Sequence, residues 1–326
     1  MIKKVLQARW AKTVQQELDF FENYLQQSVL SEDPLVSSTA LHIVKAGGKR
    51  VRPIFAILAA RINHCDINEL LPLLTSLELV HTGSLMHDDV IDGANKRRGI
   101  PTANAMHGNQ TAIFVGDFLV SRAFELVSVY QDDRINQAIS KTITEMCKGE
   151  LRQIADFYRL DQTIEDYFYR IERKTALLFA TSCETGACVS GASEAQIEAL
   201  RQYGYYLGMA FQIFDDILDM TADEKVLGKP VGSDLRQGNL SLPVIYALSN
   251  SPWPKQLRQA ILDSKQDPEH ILRVIDMVEQ CNGMGYGEEI AQQFIDKAMK
   301  EVDKLPQSKH TDVLREIAHY MIERSY

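Results

Sequence analysis

The chain has 326 residues, 44 of them acidic and 35 basic, for a formal net charge of −9. Hydrophobic residues make up 45% and charged residues 24%, the balance of a folded globular protein and not of a disordered chain. The acid excess disfavours general nucleic-acid binding, which needs a basic face.

The basic start, Met1 to Trp10, is followed by no apolar core, because Lys12, Glu17 and Asp19 interrupt it; this reads as no signal peptide. No stretch approaches the roughly 18 uninterrupted apolar residues of a spanning helix. The five cysteines (Cys65, Cys147, Cys183, Cys188, Cys281) are scattered without a C-x-x-C, which reads as free thiols in a reducing cytoplasm.

No proline falls between Pro101 and Pro230, so long helices are permitted there. Apolar residues recur at helical spacing, as in Ile197, Leu200, Tyr203, Leu207 and Phe211. In chain order the predicted helices lie near 3–28, 34–46, 53–63, 67–92, 109–128, 133–158, 164–190, 194–221, 240–249, 254–263, 268–280, 283–303 and 309–323. Pro34 suits a first turn, Gly47-Gly48 a helix stop, and Ser193-x-x-Gln196 a capping box. Strand patterns bounded by turn dipeptides are absent. The fold class is all-α, and with no linker in the chain 1–326 reads as one large domain.

Two copies of D-D-x-x-D stand out: Asp88, Asp89, Asp92 and Asp215, Asp216, Asp219. Each falls near the C-terminal end of a long predicted helix. Positions i and i+4 share a face about 6 Å apart along the axis. Like charges there repel, and the negative end of the helix dipole adds to the cost. A hard divalent cation removes that cost, and oxygen-only donors suit Mg²⁺ bridging carboxylate to phosphate. His81, Ser84, Asp88 and Asp92 form one stripe; Gly208, Gln212, Asp215 or Asp216, and Asp219 form the other. Two such helices facing each other would enclose a deep pocket with metal at its mouth.

Cationic bursts accompany the motifs. Lys49, Arg50 and Arg52 follow the glycine pair, Lys96-Arg97-Arg98-Gly99 follows the first aspartates, and Lys229 follows the second. Arg173-Lys174-Thr175 lies within a predicted helix. Arginine forks and lysine point charges both suit phosphate.

These motifs, with Gly116-Asp117, Phe211-Gln212 and Gly228-Lys229-Pro230 through Asp234, make the chain resemble the trans-polyprenyl diphosphate synthases from about Gly47 to Pro243. Glu78-Leu79-Val80-His81, Cys147 to Glu150 and Gly238 to Pro243 resemble the catalytic component of bacterial heptaprenyl diphosphate synthases. The resemblance implies the isoprenoid synthase fold, an orthogonal helical bundle around a deep central cavity. It implies head-to-tail condensation of an allylic prenyl diphosphate with isopentenyl diphosphate, supplying quinone side chains. By resemblance, three Mg²⁺ would be held by Asp88, Asp92 and Asp215, supported by Asp89, Asp216 and Asp219, with Asp234 acting through water. Arg97, Lys174 and Lys229 would bind the allylic diphosphate. Lys49, Arg52, His81 and Arg98 would bind the isopentenyl diphosphate, and Gln212 and Thr175 would flank the reacting carbons.

The resemblance also implies a homodimer or a heteromer with a small second subunit, and allows transient membrane contact during product release. Short-product relatives carry bulky residues just before the first aspartates. Here Gly83 and Ser84 stand there, with Val80, Leu77 and Leu73 as the next large candidates, so a product longer than geranylgeranyl is expected, heptaprenyl in particular. The competing readings are a class I terpene cyclase or head-to-head condensing enzyme, a metal phosphohydrolase built on His87-Asp88, and an inactive or partner-dependent helical subunit. A cyclase would carry a different second metal motif, a phosphohydrolase would need further histidines, and an inactive subunit would lack some of these charged residues.

Overall fold

The structure, a computed structural model, describes residues 12–222, 230–264 and 269–323. Those residues are helical apart from connections and one two-stranded hairpin. The described residues form two compact units, each discontinuous in sequence: the first from the stretches up to 143, 181–201 and 305–313, the second from 144–180, the described part of 202–304, and the chain from 314 to 323. Among the described residues no helix is long and apolar enough to cross a membrane.

The first unit begins with α1 (Gln15–Ser28) and α2 (Pro34–Lys45). The Asp33 carboxylate accepts the Leu35 and Val36 N–H groups at 2.8 and 3.1 Å, and Pro34 fills the first turn, where its missing donor costs nothing. Gly47, at φ 76°, turns the chain out of the helix. Helix α3 (Val51–Ala60) is buried from Pro53 onward. Helix α4 (Ile67–Ile91) is buried all round from Leu73 to Val80 and opens toward both ends.

Pro72 lies inside α4, where it deletes a donor and crowds the preceding turn. The Tyr130 hydroxyl repairs the break. It accepts the Leu73 N–H at 3.1 Å and donates to the Glu69 carbonyl at 2.6 Å.

After α4 comes a hairpin that the sequence patterns do not announce. Strands β1 (Lys96–Arg97) and β2 (Ile100–Pro101) pair antiparallel around Arg98 and Gly99, both at positive φ. Two-residue strands are too short to show alternation, and the Arg-Gly turn lies outside the usual Asn-Gly pattern. The short α5 (Ala103–His107) is likewise absent from the predicted elements, and α6 (Asn109–Val127) follows it. Helices α4 and α6 approach closely at two glycines. A Cβ on Gly83 would stand 2.9 Å from Val120 Cγ2 and 3.0 Å from the Gly116 carbonyl, and one on Gly116 would run into the His87 ring.

Helices α7 (Asp133–Asp156), α8 (Ile164–Ile171), α9 (Leu177–Val189) and α10 (Glu194–Thr221) supply the long middle of the chain. The predicted 164–190 helix is not continuous: a π-helical segment, Glu172–Ala176, separates α8 from α9. Ser193 and Gln196 exchange their capping bonds before α10. The second unit is completed by α11 (Ser233–Gln237), which the sequence patterns do not mark, and by α12 (Leu242–Asn250), α13 (Pro254–Asp263), α14 (Glu269–Gln280) and α15 (Gly283–Val302). Helix α16 (Lys309–Glu323) ends the described chain. Gly238, at φ 85°, closes α11 and lies against the Tyr158 ring, where no side chain would fit.

Candidate active site

Each unit carries one aspartate motif, and in both motifs burial separates the three carboxylates. On α4, Asp88 is partly exposed and Asp92 exposed, whereas Asp89 is only 3% exposed. On α10, Asp215 is partly exposed, whereas Asp216 and Asp219 are 5% and 2% exposed.

The buried three have defined protein partners. Asp89 accepts Arg97 Nε at 2.8 Å, and burial nonetheless lifts its carboxyl above the usual range. Asp219 accepts the Ser233 hydroxyl at 2.7 Å and the Asp234 N–H at 3.1 Å, so it holds the start of α11. Asp216 accepts Gln212 Nε2 and the Tyr167 hydroxyl, each at 2.8 Å. Burial, with the neighbouring Asp234 carboxylate adding to it, pushes Asp216 up to about 7. The ambiguity on the second stripe is thereby resolved: Asp215 shares the more open side of α10, and Asp216 points into packed structure.

The donors on the open sides are carboxylate oxygens, which fit a hard divalent cation and not zinc. Among the described residues no group of three or more His, Cys, Asp or Glu side chains forms a ready-made cage. Mg²⁺ commonly takes one or two protein carboxylates and completes its shell with water and substrate oxygens, and the exposed carboxylates of the two motifs suit that requirement.

The basic residues of the first unit surround His81. Its imidazole is held well below 6.5 by burial and by Arg52, Arg98, Arg97 and Arg50, so it is neutral at pH 7. Burial pushes Arg52 down to about 10, with Glu78 opposing and Arg98 assisting. Arg98, at φ 53°, lays its guanidinium over Gly48, where an added Cβ would meet it at 3.0 Å. Lys49 lies beside it in the chain, partly exposed. This concentration of like charge is costly unless an anion joins it.

Arg50, grouped with its neighbours by sequence, belongs elsewhere. It is buried and bonds Glu22, Glu78 and the Val44 carbonyl. His87 is also structural in its contacts: its Nε2 lies 3.2 Å from the Ile113 carbonyl and 3.3 Å from Asp117. Gly116 clears room for that ring, which accounts for the Gly116-Asp117 pair.

In the second unit, two glycines bring the reactive side chains together. A Cβ on Gly149 would press on Arg173 Cβ at 2.8 Å, and one on Gly208 would meet Ala176 Cα at 2.6 Å. The lack of a Cβ at both lets α7 and α10 close on the π segment. One residue beyond Gly149, Glu150 pairs with Lys174 at 2.9 Å, and Gln153 accepts from it at 3.3 Å. One turn beyond Gly208, Gln212 Oε1 accepts the Thr175 hydroxyl at 2.6 Å. Arg173 turns away, bonded to Glu145 at 2.9 Å and stacked on Tyr169 at 3.5 Å.

Glu150, Gln153 and Tyr167 were not among the sequence candidates. Gly149-Glu150 was visible as a motif, but only the close backbone approach explains it. Lys229 lies outside the described residues.

At the chain-length positions, Val80 and Leu77 are buried within α4 and Ser84 is partly exposed, its hydroxyl bonded to the His81 carbonyl at 2.8 Å. Gly83 requires a correction. It does not face open space, because α6 fills the position of its missing side chain.

The chain matches the sequence model of the polyprenyl synthetase family over residues 33–278. It is 40% identical over 310 residues to component 2 of heptaprenyl diphosphate synthase from Bacillus subtilis (strain 168), covering 95% of this chain and 88% of that one. The crystal structure of heptaprenyl diphosphate synthase from Staphylococcus aureus superposes with a TM-score of 0.90 at 34% identity, covering 96% of this chain and 99% of that one. The polyprenyl synthase from Caulobacter crescentus CB15, complexed with calcium and isoprenyl diphosphate, gives 0.91 at 29% identity, covering 100% and 98%. The all-α architecture is therefore the isoprenoid synthase fold. By its family match and its identity to that Bacillus protein, the chain belongs to the polyprenyl synthetase family.

Proposed function

We propose that this protein is a Mg²⁺-dependent trans-prenyltransferase that adds isopentenyl diphosphate head-to-tail to an allylic prenyl diphosphate, with heptaprenyl diphosphate as product. We treat 1–326 as one functional domain working in the cytoplasm; the absence of a linker and the free cysteines among the described residues support this. The observation that carries the reading is the split within both aspartate motifs. Asp88, Asp92 and Asp215 keep carboxylates on the more exposed sides of their helices, while Asp89, Asp216 and Asp219 are turned inward.

In this reading Asp88, Asp92 and Asp215 hold the cations, and a relative's complex with calcium and isoprenyl diphosphate supports divalent-metal use. When bound, Mg²⁺ supplies Lewis-acid stabilisation of diphosphate as the allylic bond breaks. Lys174, oriented by Glu150 and Gln153, binds the allylic diphosphate together with Arg97 and Lys229. Lys49, Arg52, Arg98 and neutral His81 bind the diphosphate of the isopentenyl unit, His81 as a hydrogen-bond donor. Thr175 and Gln212 present oxygen atoms to the carbons on which positive charge develops, a fixed electrostatic contribution. Apolar walls exclude water, which would quench that cation. Ser84, Val80 and Leu77 limit the product.

We also infer that the chain works in an assembly. On α6, Phe114 is 71% and its neighbour Ile113 40% exposed, an adjacent apolar pair that a partner subunit could cover. The Bacillus relative is named as one component of a synthase, which supports a heteromer; a small second subunit, or a homodimer in its place, is our proposal for this chain.

The test is a radiolabelled assay with farnesyl diphosphate and isopentenyl diphosphate, with and without a candidate small subunit. Mg²⁺-dependent diphosphate release and a seven-unit product are expected. EDTA should abolish release, and Asp88→Asn should lower it by about 10²-fold or more. No release under any of these conditions overturns the reading.

A further inference from the structure

Within the second unit a run of side-chain hydrogen bonds has a single direction. The Thr175 hydroxyl donates to Gln212 Oε1 at 2.6 Å, Gln212 Nε2 donates to Asp216 Oδ1 at 2.8 Å, and the Tyr167 hydroxyl donates to Asp216 Oδ2 at 2.8 Å. In its ionised form the Asp216 carboxylate only accepts, whereas a carboxamide has one end of each kind. Asp216 therefore draws the amide nitrogen of Gln212 and turns the amide oxygen toward Thr175.

Helix geometry keeps these roles apart. Gln212 and Asp216 are i and i+4 on one face of α10, whereas Asp215 is turned about 100° from Asp216. Both Asp216 oxygens already accept a bond in a buried setting. The Tyr167 side is braced in turn: the ring is fully buried, the Arg170 guanidinium lies 5.4 Å from its centroid, and Arg170 bonds Gln162 Oε1 at 2.8 Å and the Leu240 carbonyl at 2.5 Å. A side chain gripped from both sides cannot easily turn toward an ion.

We infer that Asp216 is a positioning residue, with Tyr167 as its anchor, that fixes which end of the Gln212 carboxamide faces Thr175, and that it is not a metal ligand. The inference rests on the prenyl-transfer reading, in which Gln212 and Thr175 flank the developing cation. With the amide held this way, lone pairs of Gln212 and Thr175 are available to positive charge, and the N–H groups that would repel it are tied back. Reversing the amide would present a donor where an acceptor is needed.

The experiment compares Asp216→Asn, Tyr167→Phe and Asp215→Asn with the double variant Asp216→Asn/Gln212→Glu, after melting curves establish that each is folded. Asp216→Asn is expected to lower kcat about tenfold or more at saturating Mg²⁺, with KM and the half-saturating Mg²⁺ concentration within about twofold of the parent. Tyr167→Phe should shift kcat in the same sense with the same unchanged Mg²⁺ requirement. Asp215→Asn should instead raise the Mg²⁺ requirement. In the double variant the donor and acceptor exchange places, since the carboxamide introduced at position 216 can donate to the carboxylate introduced at position 212. Its kcat should recover severalfold over Asp216→Asn.

Independently of turnover, Mn²⁺ binding in the presence of inorganic diphosphate, followed by electron paramagnetic resonance, should be unchanged in Asp216→Asn and weakened in Asp215→Asn. Weaker Mn²⁺ binding in Asp216→Asn, or no recovery in the double variant, overturns the inference. An inactive parent overturns the prenyl-transfer reading instead, and the Mn²⁺ comparison still decides whether Asp216 is a ligand. Should Tyr167→Phe fail to fold, the donor–acceptor exchange at 212 and 216 remains decisive.

Discussion

Replacing Arg50 with methionine should cost more stability than any single change at the phosphate-facing cations beside it. Arg50 is buried and makes four bonds: Nε to Glu22 Oε1 at 2.6 Å, Nη2 to Glu22 Oε2 at 3.1 Å, Nη1 to Glu78 Oε1 at 2.6 Å and Nη2 to the Val44 carbonyl at 3.0 Å. Burial alone would lower its pKa, but Glu78 and Glu22 outweigh that effect and the net shift is upward. Glu78 sits in the fully buried part of α4, so deleting Arg50 removes its direct partner and leaves a buried carboxylate offset only by the more distant charges of Arg52 and Arg98. That loss is about 3 kcal/mol, the lower end for a broken buried pair. Glu22 is 37% exposed and can be hydrated, so it contributes little to the penalty. The double variant Arg50→Met/Glu78→Leu removes both buried charges and should recover most of the loss. Urea titrations of the four species, read by midpoint and slope, give the coupling between the two positions. A loss below about 1 kcal/mol for Arg50→Met, or a double variant no more stable than the single, refutes a stabilising buried ion pair between Arg50, at the start of α3, and Glu78 of α4.

Three further outcomes are expected. Tyr130→Phe should destabilise the protein by about 1–3 kcal/mol, because two backbone groups beside Pro72 lose their partner; faster hydrogen exchange at the Leu73 amide identifies the site, and unchanged exchange contradicts it. His81 has a folded pKa well below 6.5, so on acidification the unfolded chain takes up its proton first. Its contribution is therefore complete above about 6.5 and is lost as pH falls toward the folded value; His81→Gln should flatten that part of the stability–pH profile, and an unaltered profile counts against a buried neutral imidazole. Ser84→Phe should shorten the product, since one helical turn of about 5.4 Å is comparable to one isoprene unit; an unchanged length removes Ser84 from the product-limiting wall.

The helices and their ends were legible because their causes are local. Asp33-Pro34, Gly47 and the Ser193–Gln196 pair each act within a few residues, and the structure shows each in its expected place. The aspartate motifs were legible as well, since i and i+4 carboxylates on an apolar helix have no structural rationale of their own. The division of labour inside each motif came from the family resemblance alone; spacing does not give it. Asp88 and Asp89 are equivalent letters in the sequence; what separates them is Arg97, eight residues beyond Asp89, in a hairpin too short to show a strand pattern. Asp215 and Asp216 are separated by Tyr167, 49 residues before Asp216, on a helix that ends at a π segment no periodicity marks.

That segment shows why spacing arguments fail at this point. A single helix over 164–190 at 3.6 residues per turn would put each later residue about 100° from its neighbour without interruption. A π insertion shifts the register of everything after it, and such insertions occur where function has overridden regular geometry. Here it falls on Glu172–Ala176, which holds Lys174 and Thr175, and its neighbours make room with Gly149 and Gly208. Two glycines in different helices, each at a helix interior where glycine is unfavourable, were the available signal. Read together they mark a place where backbones must nearly touch, and the residues just beyond them, Glu150 and Gln212, are those that reach Lys174 and Thr175. Substituting alanine at Gly208 should thus push α10 off the π segment and lengthen the Thr175–Gln212 bond, and a crystal structure of Gly208→Ala with kcat measured alongside checks both. An undisturbed bond, or a lengthened bond with unchanged kcat, breaks the link between this packing and the chemistry assigned to the pair.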